Sequence, residues 1–424
     1  MRSSWPDKIV KFLIFGFGCL LFFSMLCAPR TYSDYKAPIV FVLVSAIAIK
    51  TIWSKRIRIH PHVLMWFGIF FMYGMFWTLI GSYKGNPGIN DYLRLSGLWV
   101  VLYGIFVSGL SSKRSLIVFV KIIMFSGFII SIYNIAFILK TIGVIPENFI
   151  TNLDMGANIG IHSGYIQLTA HNIGTLAFVA PFIFSLLVFS DEKEILGLRR
   201  RTVIIILGLS IATVLLSGRR ILLINILLTP AICYILCLNL KSGNEVVKKK
   251  LLYSTVTVLM MGLAMFAYFT FYTDWSISDF SKRFTGAFEE EARIEQINAL
   301  YDGFTEMPIL GSGFGRGVID VVRSEERPWL YEMTYNLMLY NTGIIGILVY
   351  FGCLYWIYRT GLQIVNKHPK EKMILLPLLV GMSSFLIANI TNPYFGSYDF
   401  MWILFFPVAY INSIKLESGT LGSI

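Results

Sequence analysis

Charge is what this chain has least of. Only 14% of its 424 residues are Asp, Glu, Lys or Arg, and 56% are hydrophobic. A soluble domain carries about 25% charged residues, so too little polar surface is present to clothe a soluble globule, and a soluble enzyme is excluded. Cysteine is scarce as well. Cys19, Cys27, Cys233, Cys237 and Cys353 are odd in number and fall in apolar runs; with no CxxC pair they form neither a zinc site nor a disulfide framework. The five histidines are scattered, and no His, Cys and carboxylate set has metal-ligand spacing, so no metal and no cofactor are expected. A GxSxG elbow, a Walker A loop and an internal repeat are all missing.

What the chain has in place of these is apolar runs near 20 residues, with a mean hydropathy of +0.69. Each is long enough to cross about 30 Å of hydrocarbon. Twelve spans are expected, at roughly 9–28, 37–53, 62–82, 93–110, 115–138, 172–190, 202–217, 221–239, 251–272, 333–358, 373–390 and 400–415. The fold class is therefore an all-α polytopic membrane protein, with residues 1–424 as a single integral membrane domain. Arg2, Lys8 and Lys11 precede the first run and no small-residue cleavage site follows, so it reads as a membrane helix and not as a removed signal.

The net charge of +12 would suggest nucleic acid on a soluble protein, but here it orients the chain. With a cytoplasmic N-terminus, 22 of the 36 Lys and Arg fall on the inside, 13 outside, and Lys121 within a span. Of the 24 acidic residues, 7 fall inside and 17 outside. Every short inside loop obeys the positive-inside rule, which places both termini in the cytoplasm and implies no nucleic-acid partner. The apolar run 202–239 is broken only by Ser217-Gly218-Arg219-Arg220; a hairpin turning at Gly218 preserves the pattern. Two stretches, 139–171 and 273–332, concentrate the outer chain. The second is too long for an idle turn, so any chemistry faces outward.

Arg219 and Arg220 sit where the topology rule does not call for cations. Guanidinium groups fork onto phosphate oxygens, so the pair either binds a lipid diphosphate or snorkels to headgroups. In the long loop, Ile294, Ile297, Leu300, Tyr301 and Phe304 recur at helical spacing, predicting an amphipathic helix on the membrane or on the bundle. Pro308 ends it, and Gly311-Ser312-Gly313-Phe314-Gly315-Arg316-Gly317 follows. Its backbone N–H groups could approach an anion beside Arg316, although most such runs are turns. Glu332 stands where the chain enters the tenth span, either as a general base or paired with Arg323 or Arg327. His171-Asn172 opens the sixth span: a proton acceptor or a hydrogen-bonded cap. His162, Tyr83, Asp91, Arg94, Tyr394, Tyr398 and Asp399 are further outer-side residues, the aromatics suited to stacking on sugars or to an interfacial belt. Glu289-Glu290-Glu291 reads as a solvated charged face.

Taken together, the Ser-Gly-Arg-Arg turn, "RIEQINALYDGFTEMPILGSGFG", "EMTYNLMLYNTGIIGILVYFG" and "AHNIGTLAFVAPF" resemble the bacterial O-antigen ligase/polymerase superfamily over roughly residues 165–350. The resemblance implies about twelve helices with a large periplasmic loop, similar to GT-C glycosyltransferases, in the inner membrane. It implies an undecaprenyl-diphosphate-linked oligosaccharide as donor, and as acceptor either a second such molecule (a Wzy-type polymerase) or lipid A–core (a ligase); a chain-length regulator is a further partner of the polymerases. Ligases carry His-Asn at the start of the span after the large loop, where this chain has Tyr335-Asn336, which favours polymerase. On this reading Arg219 and Arg220 bind the diphosphate, with Arg293 and Arg316 closing from the loop. Glu332, then His171, are the candidate bases, and Tyr335 is a further catalytic candidate by position. Asn172, Asn336, Gly311, Gly313 and Gly315 support them. Single displacement without a metal would invert the anomeric carbon. A polysaccharide flippase is the competing class; it should carry ionisable residues along the middle of several spans, where this chain has chiefly Lys121.

Overall fold

The computed structural model describes residues 5–141, 143–146, 156–162, 165–190, 192–240, 245, 247–257, 260, 291–318, 321–322 and 324–421. The chain is a helical bundle. Its elements are α1 Trp5–Cys27, α2 Ser33–Ser54, α3 Pro61–Tyr83, α4 Ile89–Gly109, α5 Lys113–Thr141, α6 Ile173–Phe189, α7 Arg200–Leu216, α8 Arg220–Leu238, α9 Glu291–Glu306, α10 Thr334–Lys367, α11 Lys372–Ala388 and α12 Trp402–Leu421. Among the described residues nine helices are long and apolar enough to cross a membrane. Helices α6 and α7 are apolar but 17 residues each, about 25 Å at 1.5 Å per residue. The expected ninth span, 251–272, lies largely outside the described residues; 251–257 are helical.

Two small hairpins depart from an all-helical reading. Strands β1 Asn158–His162 and β2 Tyr165–Thr169 pair antiparallel within the stretch 139–171, and β3 Glu194–Ile195 pairs with β4 Leu198–Arg199. The turn of the second carries Leu196 and Gly197 at positive φ. Lys121 Nζ lies about 3.5 Å from the position a Gly197 Cβ would take, so the mid-helix lysine reaches the end of the bundle.

Helices α6, α11 and α12 are the most enclosed. Nearly every residue of α6 is buried, packed on α11, α7 and α8. A helix apolar on all sides needs protein or lipid on all sides; here protein supplies most of it. The apolar run 202–239 breaks at residues 217–219, where Gly218 has φ 65, so the hairpin forms.

Contacts sort the connections into two ends. At one, the 28–32 turn touches residues 393–399, α6 begins beside Leu26 and Tyr394, and the end of α3 touches residues 311–314. We call this the loop end. At the opposite end Arg58 bonds Asn412, Lys113 pairs with Glu371, which also accepts from Tyr410, and Asn366 donates to Asn239. Both described termini lie at this opposite end.

Candidate active site

The loop end holds a cavity of about 450 Å³. Its exposed mouth carries Arg30, Asp91, Arg94 and Arg327, and its buried depth is lined by Asp399, Phe70, Tyr350, Met401 and Leu404. The 28–32 turn supplies the first wall. Arg30 adopts φ 64, uncommon for a residue with a Cβ, because its backbone N–H donates to Asp399 Oδ2 at 2.7 Å while its Nη2 donates to the Pro393 carbonyl at 2.7 Å. Behind it Lys36 donates to Asp399 Oδ1 at 2.8 Å and to the Ala28 carbonyl at 2.7 Å. This pair is sealed, at 2% and 0% side-chain exposure. Breaking such a pair leaves an uncompensated buried charge, so it fixes the turn against residues 397–400.

The second wall is a six-residue π-helical stretch in α4, Leu93–Leu98. It accommodates α3, where a Cβ on Gly74 would lie 2.6 Å from Ser96. Such π turns are rare. This one presents Arg94 to Tyr398, whose ring centroid lies 6.0 Å from the guanidinium. Tyr398 stacks on Trp99 at 3.8 Å and 4°. Across the mouth Arg327 Nε stands 4.0 Å from Asp91 Oδ2, both exposed. At the mouth three cations, Arg30, Arg94 and Arg327, face one exposed carboxylate, Asp91, while Lys36 and Asp399 offset each other behind it, so the mouth carries surplus positive charge beside aromatic faces and above an apolar floor. An amphiphile with an anionic head matches that gradient.

The glycine-rich run closes the third wall, by a different physical role from the anion cradle its composition suggested. Residues 307–315 re-enter the bundle end: the Trp77 indole donates to the Leu310 carbonyl at 2.7 Å and Phe314 N–H to the Trp77 carbonyl at 3.0 Å. The N–H groups of Gly311, Ser312 and Gly313 bond the carbonyls of Met307, Tyr340 and Asn341. These amides are therefore taken up by the fold, as irregular backbone at membrane depth requires. At Gly313, φ is +81 and a Cβ would lie 2.4 Å from the Gly81 nitrogen; Gly311 and Gly315 abut the backbones of Asn341 and Gly88 as closely. The loop thereby carries Phe314 to the cavity, stacked on Tyr92 at 4.6 Å and 8°.

Arg293 and Glu332 come together: Arg293 Nε donates to Glu332 Oε2 at 2.9 Å, and the Glu332 N–H to Gln296 Oε1 at 3.0 Å. Arg293 is thus a partner of Glu332 beyond the two the sequence suggested, Arg323 and Arg327; Arg323 lies outside the described residues. Helix α9 rests on the bundle through Gln296, Ile297, Leu300 and Gly303, packed toward Tyr331, Leu337 and Tyr340. Ile294 and Tyr301, expected on that face, are 43% and 56% exposed. The helix twist settles the choice: 296, 300 and 303 fall on one stripe.

Arg316 sits beside Lys84 and Tyr340; partial burial first, and the Arg316 charge second, hold the Lys84 ammonium below the usual lysine range. Arg219 and Arg220 occupy the α7–α8 turn, half-buried. The Ser217 hydroxyl accepts from the Arg219 N–H at 3.3 Å, and the Ser217 carbonyl from the Leu168 N–H at 3.1 Å. Among the described residues, Arg219 Nε and Arg220 Nη1 are buried with no hydrogen-bond partner. Neither arginine lines the cavity. The His171 ring packs on Gly156. Asn172 is buried and accepts from Asn134 Nδ2 at 3.0 Å. Tyr335 donates to the Leu386 carbonyl at 2.9 Å, and Asn336 is half-buried in the first turn of α10. That turn gives Thr334, Leu337, Met338 and Asn341 to the cavity, leaving Tyr335 toward α11. The His162 side chain and Glu289-Glu290-Glu291 side chains lie outside what is described.

Arg30 and Arg327 line the cavity and Lys36 stands behind it; sequence reasoning passed over all three as site candidates. The minority of cations on the outer side included all three; the bond from Arg30 to Asp399 spans 369 positions and has no local trace. Neither family models nor curated proteins match the chain.

Proposed function

We propose that the protein is a membrane glycosyltransferase that polymerises undecaprenyl-diphosphate-linked oligosaccharide repeat units, with the loop end at the periplasmic face of the inner membrane and both termini cytoplasmic. The observation that carries this reading is the cationic, aromatic, apolar-floored cavity at the loop end. Lipid-linked saccharide has the same three parts in the same order: isoprenoid chain, diphosphate, sugar. The motif resemblance over residues 165–350 supplies the substrate class, and the charge asymmetry between the two sets of loops supplies the sidedness.

Polymerisation joins two lipid-linked molecules, and the loop end offers two separate cationic sites. Arg219 and Arg220, with buried donors still available, take the donor diphosphate; Arg30, Arg94 and Arg327 take the acceptor in the cavity. An acceptor hydroxyl attacks the anomeric carbon, the bond from that carbon to the diphosphate oxygen breaks, and the proton passes to a base. Fixed guanidinium charges stabilise the leaving diphosphate. Glu332, two residues before the cavity-lining Thr334, serves as base by exchanging Arg293 for the acceptor hydroxyl. Arg293 and Arg316 steer the donor from the loop, and attack from one face inverts the configuration. His171 and Tyr335 are second choices, engaged with Gly156 and Leu386 in the resting arrangement.

The test supplies purified protein and donor with either lipid-linked repeat or lipid A–core. Elongation of lipid-linked repeat alone is expected. Transfer to lipid A–core alone would make the protein a ligase, and transfer to neither would remove the transferase reading.

A further inference from the structure

A second cavity lies toward the opposite end, between α8 and α10, and belongs to nothing in the mechanism above. Its volume is about 560 Å³, with Ile232, Ile235 and Leu236 on one side and Tyr355, Arg359 and Gln363 on the other. Its inner side is closed by Tyr358, whose hydroxyl shares a 2.7 Å hydrogen bond with Ser383. Its rim is marked by Asn366 Nδ2, 3.3 Å from the Asn239 carbonyl where α8 ends. Its flanks are open at the surface of the bundle: Ile235 is 58% and Tyr355 64% exposed.

Tyr355, Arg359 and Gln363 follow at i, i+4 spacing and so form one polar stripe on a helix whose neighbouring faces are apolar. Arg359 lies seven residues before Asn366, about 10 Å deeper along the axis than the end of α8. Among the described residues it has no hydrogen-bond or ion-pair partner. Arg359 is itself exposed and directly follows the expected span 333–358, so its guanidinium stands at the inner headgroup level, open to an anion or water. Gln363, Asn366 and Asn239 place amide groups between it and the rim. Basic pockets between membrane helices are known sites for anionic headgroups. The apolar side, Ile232, Ile235 and Leu236, continues inward where an acyl chain would lie.

We propose that this groove is a binding site for an anionic phospholipid, its phosphodiester on Arg359, its headgroup hydroxyls on Gln363 and Asn366, and one acyl chain along α8. Charge complementarity selects an anionic headgroup over a zwitterionic one. The site is independent of the proposed reaction, being at the other end of the bundle.

The full-length protein, delipidated in detergent, is titrated with phosphatidylglycerol, phosphatidylcholine or inorganic phosphate, with thermal unfolding as the readout. Phosphatidylglycerol should raise the unfolding temperature saturably, and phosphatidylcholine and phosphate should not. Arg359→Gln should weaken the phosphatidylglycerol response at least tenfold, whereas Arg199→Gln, an exposed arginine elsewhere at this end, should leave it unchanged. If Arg359→Gln fails to accumulate, Gln363→Leu keeps the cation and should still weaken the response. Equal responses to the two lipids, an equal response to phosphate, or wild-type affinity in Arg359→Gln or Gln363→Leu would each overturn the proposal.

Discussion

Replacing Gly313 with Ala tests whether the re-entrant loop builds the cavity. At φ +81 an added Cβ would meet the Gly81 nitrogen at 2.4 Å, the Gly81 Cα at 2.6 Å and the Ile80 carbonyl carbon at 2.9 Å. All three are backbone atoms of α3, so no side-chain rotation relieves the overlap. The left-handed conformation costs a non-glycine residue roughly 1–2 kcal/mol, and forcing an extra carbon into packed structure about 1–3 kcal/mol. Reduced freedom of the unfolded chain returns about 0.4–1 kcal/mol. The net loss is about 1–4.6 kcal/mol, centred on ~3 kcal/mol, which at ~2–4 °C per kcal/mol for a large domain predicts a fall of roughly 2–18 °C in unfolding temperature, centred on ~9 °C. The assay is thermal unfolding of detergent-solubilised protein by tryptophan fluorescence. Gly68→Ala is the control: nothing lies within 4 Å of the added carbon, so in a helix interior it should be neutral or stabilising by up to about 1 kcal/mol. Because Phe314 follows Gly313 directly, Gly313→Ala should also lower activity at temperatures where the protein remains folded. Equal unfolding temperatures for the two variants would refute the close approach.

Asp399→Asn strips the counter-charge from sealed Lys36 and should cost about 3–5 kcal/mol. The double variant Lys36→Met with Asp399→Leu should lose less than the two single changes added together, read from a thermal double-mutant cycle. Arg327→Ala should change stability by less than about 1 kcal/mol, since its partner Asp91 is exposed, yet lower the polymerisation rate at least tenfold; a full rate would remove Arg327 from the site. Glu332→Gln should reduce turnover by about 10²–10⁴-fold if the carboxylate takes the proton, and an unchanged rate removes that role. Arg219→Ala and Arg220→Ala should abolish polymer while the protein remains in the membrane, with normal ladders counting against the diphosphate assignment.

Much of the scaffold was legible because hydropathy and span length are local. The hairpin at Gly218 was readable from four residues breaking one apolar run, and the helix over Glu291–Glu306 from its spacing. Which face of that helix is buried was not, because Ile294 and Tyr301 look as apolar as Leu300 and only packing on α10 selects among them. The glycine run illustrates the same limit. Its composition fits an anion cradle or a close-packed wedge, and the difference lies in acceptors supplied by Trp77, Tyr340 and Asn341, far away in sequence. Likewise Glu332 had several arginines within reach in sequence, and the bond from Arg293, 39 positions away, is visible only in the fold. Arg30 and Lys36 reach Asp399 over more than 360 positions, so no local pattern marks them.

The most direct test of the central claim is turnover by the purified protein in detergent, with no sealed vesicle, on undecaprenyl-diphosphate-linked oligosaccharide. The account predicts that the wild-type protein lengthens the lipid-linked glycan and that an Arg94→Ala, Arg327→Ala double variant, still folded, does not. Absence of lengthening by wild-type protein that moves the same lipid across a sealed bilayer would contradict it, and so would full activity in the double variant.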